Sequence, residues 1–137
     1  MFTHETRRRV RYSETDKMGY LYYGNYPAYY EVARAEMLRS IGLTYAQMEN
    51  EWAVMMPVMS LRMRYVRPAH YDDLLLMRTT LRHLPERTIT FQTDIYNEAG
   101  KLVNGGEVKL CFVDWNTKQT VATPPRLLEK LLPYFEV

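Results

Sequence analysis

Apolar residues recur along this chain with two different periods. Between Tyr26 and Ile41, the residues Tyr26, Tyr29, Tyr30, Ala33, Met37, Leu38 and Ile41 fall at helical spacing and form one stripe. Asn25 is placed to cap that helix, and Pro27 lies in its first turn, where the missing N–H costs nothing. Gly42 ends the run as a C-terminal glycine does. Thr44-Tyr45-Ala46-Gln47 has the spacing of a capping box and predicts a short second helix to about Glu51.

Elsewhere the period is two. Glu5–Ser13 reads as a first strand, with Val10 and Tyr12 on one face and Arg7, Arg9 and Arg11 on the other. Glu14–Gly24 reads as turn, punctuated by Gly19 and Gly24. Val58–Val66 alternates Met59, Leu61, Met63 and Tyr65 against Ser60, Arg62 and Arg64; Asp72–His83 is the next strand. Thr88–Tyr96 turns inward with Ile89, Phe91 and Ile95, then Asn97–Gly100 makes a hairpin turn into Leu102–Trp115. A bulge is expected at Gly105-Gly106, and Thr123-Pro124-Pro125 opens a last helix to about Leu132.

One long helix cannot cover both faces of such a sheet. The arrangement that satisfies both periods is α+β, a curved antiparallel sheet wrapped around the helix. A long sheet also leaves an edge to cover, so a homo-oligomer is expected. The 137 residues suit a single domain spanning 1–137.

Composition narrows the chemistry. Eighteen basic and sixteen acidic residues leave a net charge of +2, too little to argue for nucleic acid as a partner. The single cysteine, Cys111, excludes an internal disulfide and is expected to be an inert buried thiol. His4, His70 and His83 show no metal-ligand spacing, so no metal is expected. No stretch has the length of a membrane span, so no membrane partner is expected, and a reducing cytoplasm is the simplest location. Twelve Tyr and nine Met, several of them at Tyr20–Tyr30 and in Val58–Val66, suit an aromatic, adaptable pocket as well as they suit a core.

The run Arg11-Tyr12-Ser13-Glu14-Thr15-Asp16-Lys17-Met18-Gly19 is followed by Tyr23-Gly24-Asn25-Tyr26 and then by Glu31-Val32-Ala33-Arg34. With Tyr65-x-x-Pro68-Ala69 and Asp73-x-Leu75, this pattern resembles the hotdog-fold thioesterases, and within them the 4-hydroxybenzoyl-CoA thioesterase-like group. The resemblance implies hydrolysis of an acyl- or aroyl-CoA thioester without a cofactor, by a homodimer or homotetramer. It implies Asp16 as the catalytic carboxylate and a backbone N–H at Tyr23 or Gly24 as the oxyanion donor. Tyr26 is expected at the substrate. Many bacterial relatives place a histidine where this chain has Tyr23, which bears on the substrate more than on the reaction.

The chemistry agrees with that implication. Thioester hydrolysis needs a nucleophile or water activator and donors where charge grows on the carbonyl oxygen. A turn aspartate just ahead of a helix can meet the free amides and positive dipole end of that helix. Asp16 would attack directly, giving a mixed anhydride, or activate water. A turn aspartate can equally be a plain capping residue. Glu31 is a second carboxylate but reads as a helix-face ion pair with Arg34. Coenzyme A carries phosphates, and Arg62, Arg64, Arg82 and Arg87 are the candidate contacts, against the reading of ordinary polar-face arginines. Arg7-Arg8-Arg9 reads as a solvated strand end. The competing functions are a hotdog dehydratase or hydratase, which wants a histidine near the helix start, and a silent acyl-thioester binding module.

Overall fold

In the computed structural model, which describes residues 1–136, the two apolar periods sort into two layers. The long helix α1 covers Tyr26–Arg39 and buries Tyr26, Tyr29, Tyr30, Ala33, Met37 and Leu38, the stripe legible in the sequence. It stops in a Schellman arrangement: the Leu43 N–H reaches back 3.0 Å to the Leu38 carbonyl, and the Gly42 N–H donates to Arg39 at 2.9 Å. Gly42 takes φ +85°, which a side chain would strain. Helix α2, Tyr45–Glu51, is capped by the Thr44 hydroxyl, which accepts the Gln47 N–H at 3.0 Å. The Gln47 side chain turns to Glu51, so only half of the expected capping box forms.

The strands are β1 (Phe2–Arg9), β2 (Val54–Met55), β3 (Val58–Tyr65), β4 (Leu74–Leu81), β5 (Thr88–Tyr96), β6 (Leu102–Asp114) and β7 (Thr120–Val121). All pair antiparallel in one sheet, in which β1, β4, β5 and β6 are successive neighbours. Strand β6 is the longest, at 13 residues. Strands β3 and β2 pair with it, and β7 pairs near its end. Leu75, Met77 and Leu81 of β4, Ile89, Phe91 and Ile95 of β5, and Val108, Leu110 and Phe112 of β6 join the α1 stripe in one core. Burying side chains of this size stabilises by roughly 1.5–3 kcal/mol each. Two buried polar pairs cross it: the Tyr30 hydroxyl donates to Asn104 Oδ1, and the Thr79 and Thr93 hydroxyls lie 3.2 Å apart. Helix α3, Pro125–Leu131, buries Leu127 and Leu131.

Four local expectations are corrected. Strand β1 starts and ends earlier than Glu5–Ser13, because Tyr12–Glu14 leaves the sheet as a 3-10 turn. Pairing runs unbroken through Gly105 and Gly106, opposite Asp94 and Thr93 on one side and Arg64 and Met63 on the other. The register shifts lie instead between Val58 and Ser60 and between Ile95 and Tyr96. The glycine at 106 serves close approach: a Cβ there would lie 2.2 Å from the Arg62 carbonyl oxygen. Asn25 does not cap α1; its Nδ2 donates to the Glu14 carbonyl at 2.8 Å. Glu31 and Arg34 form no ion pair, since buried Arg34 turns its Nε to the Tyr45 hydroxyl at 3.2 Å.

Candidate active site

Main-chain bonds hold the chain between β1 and α1 against residues 66–73. Asp72 N–H donates to the Val10 carbonyl and Val10 N–H to Asp73. Tyr71 N–H donates to Gly19, and Leu21 N–H to Ala69. The 66–73 connection between β3 and β4 thus runs beside the 10–21 segment like an added strand. Within that segment Asp16 closes a turn on itself. Its Oδ1 accepts the N–H groups of Met18 at 2.9 Å and Tyr20 at 3.1 Å, and its own N–H donates to the Tyr20 carbonyl at 2.8 Å. Its Oδ2 has no hydrogen-bond partner among the described residues. The side chain is therefore oriented, with one oxygen left for other work.

Beyond Leu21, residues Tyr23–Asn25 form a single 3-10 turn that runs into α1. The Asn25 N–H donates back to Tyr22 at 2.9 Å. The Tyr23 and Gly24 amides open the turn and find no acceptor among the described residues, as the first donors of a helical segment do. Gly24 keeps this corner free: a Cβ would lie 2.7 Å from the Tyr22 ring, which covers it.

Asp16, Tyr23 and Tyr26 line one cleft of about 330 Å3, together with Leu21, Tyr65 and Pro68. Tyr26 is buried against the Tyr65 ring, 5.4 Å between centroids. Burial, then Tyr65, pushes the Tyr26 hydroxyl up to about 12, so it stays a neutral group at the cleft. Tyr23 and Tyr65 also border a larger open groove of about 940 Å3, which Gly24, Arg62, Arg64, Asp94 and Glu107 line. The Tyr65 hydroxyl donates to the Tyr23 carbonyl at 3.3 Å where the two hollows meet.

The four candidate arginines separate. Arg62 is tied to Glu107 at 2.8 Å, whereas Arg64 in the same groove makes no ion pair among the described residues. Arg82 donates to Gln92 and lines a neighbouring cleft of about 480 Å3, which shares Gln92 and Glu107 with the groove. Arg87 lines none of these hollows; its guanidinium donates to the Thr120 carbonyl at 3.0 Å. Tyr29 and Tyr30 lie wholly in the core and line none of these three hollows. Among the described residues no three His, Cys, Asp or Glu side chains converge as metal ligands would, and no helix is long and apolar enough to cross a membrane.

The residue that sequence reasoning passed over is Glu14. Its side chain is buried at the hinge of the Asp16 turn and accepts bonds from Arg8, the Arg11 N–H and the Tyr29 hydroxyl. The signal available was the Arg8, Arg11 and Glu14 spacing, but those charges read equally well as solvated.

A long helix wrapped by an antiparallel sheet is the arrangement of the hotdog-fold thioesterases, and comparison with known proteins agrees on that fold. The fold matches 1,4-dihydroxy-2-naphthoyl (DHNA)-CoA thioesterase from Staphylococcus aureus with a TM-score of 0.89 and 27% identity, over 100% of this chain and 97% of that one. It also matches a 4-hydroxybenzoyl-CoA thioesterase mutant complexed with 4-hydroxybenzoyl-CoA, TM-score 0.84 over 93% and 97% of the two chains, where 18% identity speaks for the fold alone. The acyl-CoA thioester hydrolase YbgC of Escherichia coli is 34% identical over 106 residues, 77% of this chain and 78% of its own. Residues 10–131 match the model of the thioesterase-like superfamily, and the chain belongs to that family.

Proposed function

We propose that this protein hydrolyses acyl- or aroyl-CoA thioesters, with the Asp16 carboxylate and the Tyr23 and Gly24 amides as its working groups. The observation that carries this reading is Asp16 itself. Its Oδ1 is fixed by two amides, its Oδ2 is free, and it shares a cleft with Tyr23, whose N–H has no partner among the described residues. A thioester carbonyl held there has a carboxylate on its carbon and amide donors on its oxygen. The acyl C–S bond breaks, coenzyme A leaves as thiolate and is protonated by water, and the acyl group ends as the free acid. The same placement serves whether Asp16 attacks the carbon, with water then opening the anhydride, or takes the proton of an attacking water. Neither route calls on a metal or cofactor.

Tyr26 and Tyr65 wall the acyl side of the cleft, and Arg62, Arg64 and Arg82 offer charge to the coenzyme A phosphates along the groove. Arg87 is the weakest of the four candidates, being bound to Thr120. The unit is the whole chain acting as one hotdog domain in the cytoplasm, where a lone thiol stays reduced. We further read it as a homodimer or homotetramer. Strand β3 exposes Val58, Met59, Leu61 and Tyr65 and leaves one backbone edge unpaired, which a second copy can cover.

The test is thiol release from a panel of acyl- and aroyl-CoA esters, with Asp16→Asn alongside. The variant is expected to lose roughly 100- to 10,000-fold in kcat, the range for removing a positioned proton-transfer or attacking group. Wild type that binds the esters and releases no thiol overturns the enzyme reading in favour of a binding module. Asp16→Asn turning over at the wild-type rate removes Asp16 from the mechanism.

A further inference from the structure

Glu14 takes no part in the reaction outlined above, yet it is bonded both to α1 and to the short turn that leads into it. Its Oε1 accepts the Tyr29 hydroxyl at 2.7 Å and the Arg11 N–H at 2.9 Å; its Oε2 accepts Arg8 at 2.8 Å and Arg11 at 3.4 Å. Its main-chain carbonyl accepts the Tyr22 N–H at 2.9 Å and Asn25 Nδ2 at 2.8 Å. Through its side chain it therefore grips the first turn of α1 at Tyr29. Through its carbonyl it grips both ends of the short turn that carries the Tyr23 and Gly24 amides. Asp16 follows two residues later on the same strand of backbone.

The charge state suits a permanent fastening. Burial alone would raise the Glu14 carboxyl, but the Arg11 amide, the Tyr29 hydroxyl, the Arg11 side chain and the Arg8 charge outweigh it and hold it below its ordinary value. Burial first, and Glu14 second, push the Tyr29 hydroxyl well above the usual range, so it always donates. Arg8 lies over the Tyr29 ring, 4.3 Å from its centroid, and closes the cluster from the β1 side. Ion clusters around one buried carboxylate, with their arginines reaching toward solvent, add little net stability compared with a well-packed apolar replacement, which leaves geometry as the property they secure.

We propose that Glu14 is a positioning residue that sets the distance between the Asp16 carboxylate and the Tyr23 and Gly24 amides. The inference rests on the thioesterase reading of Asp16. A shift of about 1 Å between groups that must converge on one carbon can cost on the order of 100-fold in rate. Tyr29, fully buried and outside the three hollows described, works through Glu14 rather than on the substrate.

The experiment compares Glu14→Gln, Tyr29→Phe, their double variant, Asp16→Asn and Leu127→Ala, with kcat expressed per folded molecule. Leu127→Ala is the control: it opens a hole in the core at α3, far along the chain from the turn, and lowers Tm while leaving kcat unchanged. Glu14→Gln is expected to lower kcat on the order of 10-fold with KM within about twofold, and Tyr29→Phe on the order of threefold. Glu14→Gln keeps an amide oxygen for the Tyr29 hydroxyl but turns an NH2 toward Arg8 and Arg11. The double variant, which also loses the Tyr29 bond, is therefore expected to be slower than either single variant. If Glu14→Gln does not fold, Tyr29→Phe decides alone. Wild-type kcat in Glu14→Gln and Tyr29→Phe, or a change confined to KM, overturns the positioning role while an inactive Asp16→Asn leaves the thioesterase reading standing. An active Asp16→Asn instead overturns the reading on which the role depends.

Discussion

Strands β5 and β3 lie on opposite sides of β6 and carry the same alternation of apolar and polar residues, yet only one of them is covered. In β5, Ile89, Phe91 and Ile95 are 1%, 1% and 0% exposed; in β3, Leu61 and Tyr65 face the same side of the sheet and are 39% and 53% exposed. The cause is the width of the helix. With its side chains α1 is about 10–12 Å across, enough for two or three strands spaced about 4.8 Å apart. β4 and β5 sit over it, and β3, beyond β6, does not. A period of two therefore tells which way a strand faces and leaves open which molecule covers it.

Three substitutions probe that contrast. Phe91→Ala in β5 removes a ring from the centre of the core and is expected to cost about 3–5 kcal/mol, read as a fall in Tm and in the denaturant midpoint. A loss under 1 kcal/mol would mean that the β5 face is not the core. Gly106→Ala sits between the two strands. Its methyl would collide with the Arg62 carbonyl, and overpacking of this kind typically costs about 1–3 kcal/mol. Faster hydrogen exchange is expected along β3 and not along β5. Leu61→Ser in β3 should change the stability of the folded monomer least, within about 0.5 kcal/mol. On the proposal that a second copy covers β3, sedimentation is expected to show wild type as a dimer or tetramer and Leu61→Ser dissociating at higher concentration. A monomeric wild type or an unchanged assembly would remove β3 as a contact between copies.

Much of this fold is legible in the sequence because its signals are local. The α1 stripe, the Gly42 stop, the Thr44 cap and the Asn97–Gly100 turn each depend on residues within a few positions of one another. What the sequence hides depends on distant partners. Strand β1 gives way to a turn because Glu14, held by the Tyr29 hydroxyl 15 residues further on, also captures the Arg11 N–H. Asn25 abandons the cap because the Glu14 carbonyl is within reach, and Arg34 leaves Glu31 for the Tyr45 hydroxyl. Gly105 and Gly106 read as a bulge, but they are small because β3 and the Asp94 side chain crowd them. For the site, the resemblance to the hotdog thioesterases points to Asp16, Tyr23 and Tyr26, which do share a cleft. It could not separate Arg64 from Arg87, since that difference lies in whether Thr120 is near.

The 10–21 segment is fastened to 66–73 by peptide groups. Tyr20, Val66 and Arg67 border the cleft from these two segments, and Tyr20 is pinned to Asp16 through its own N–H and carbonyl. Replacing such a side chain leaves the fastening bonds in place. Mutation can therefore reshape the entrance to the cleft, one residue at a time, without dislodging the carboxylate beneath it. A scaffold built this way can diversify its choice of acyl group while its reaction stays the same.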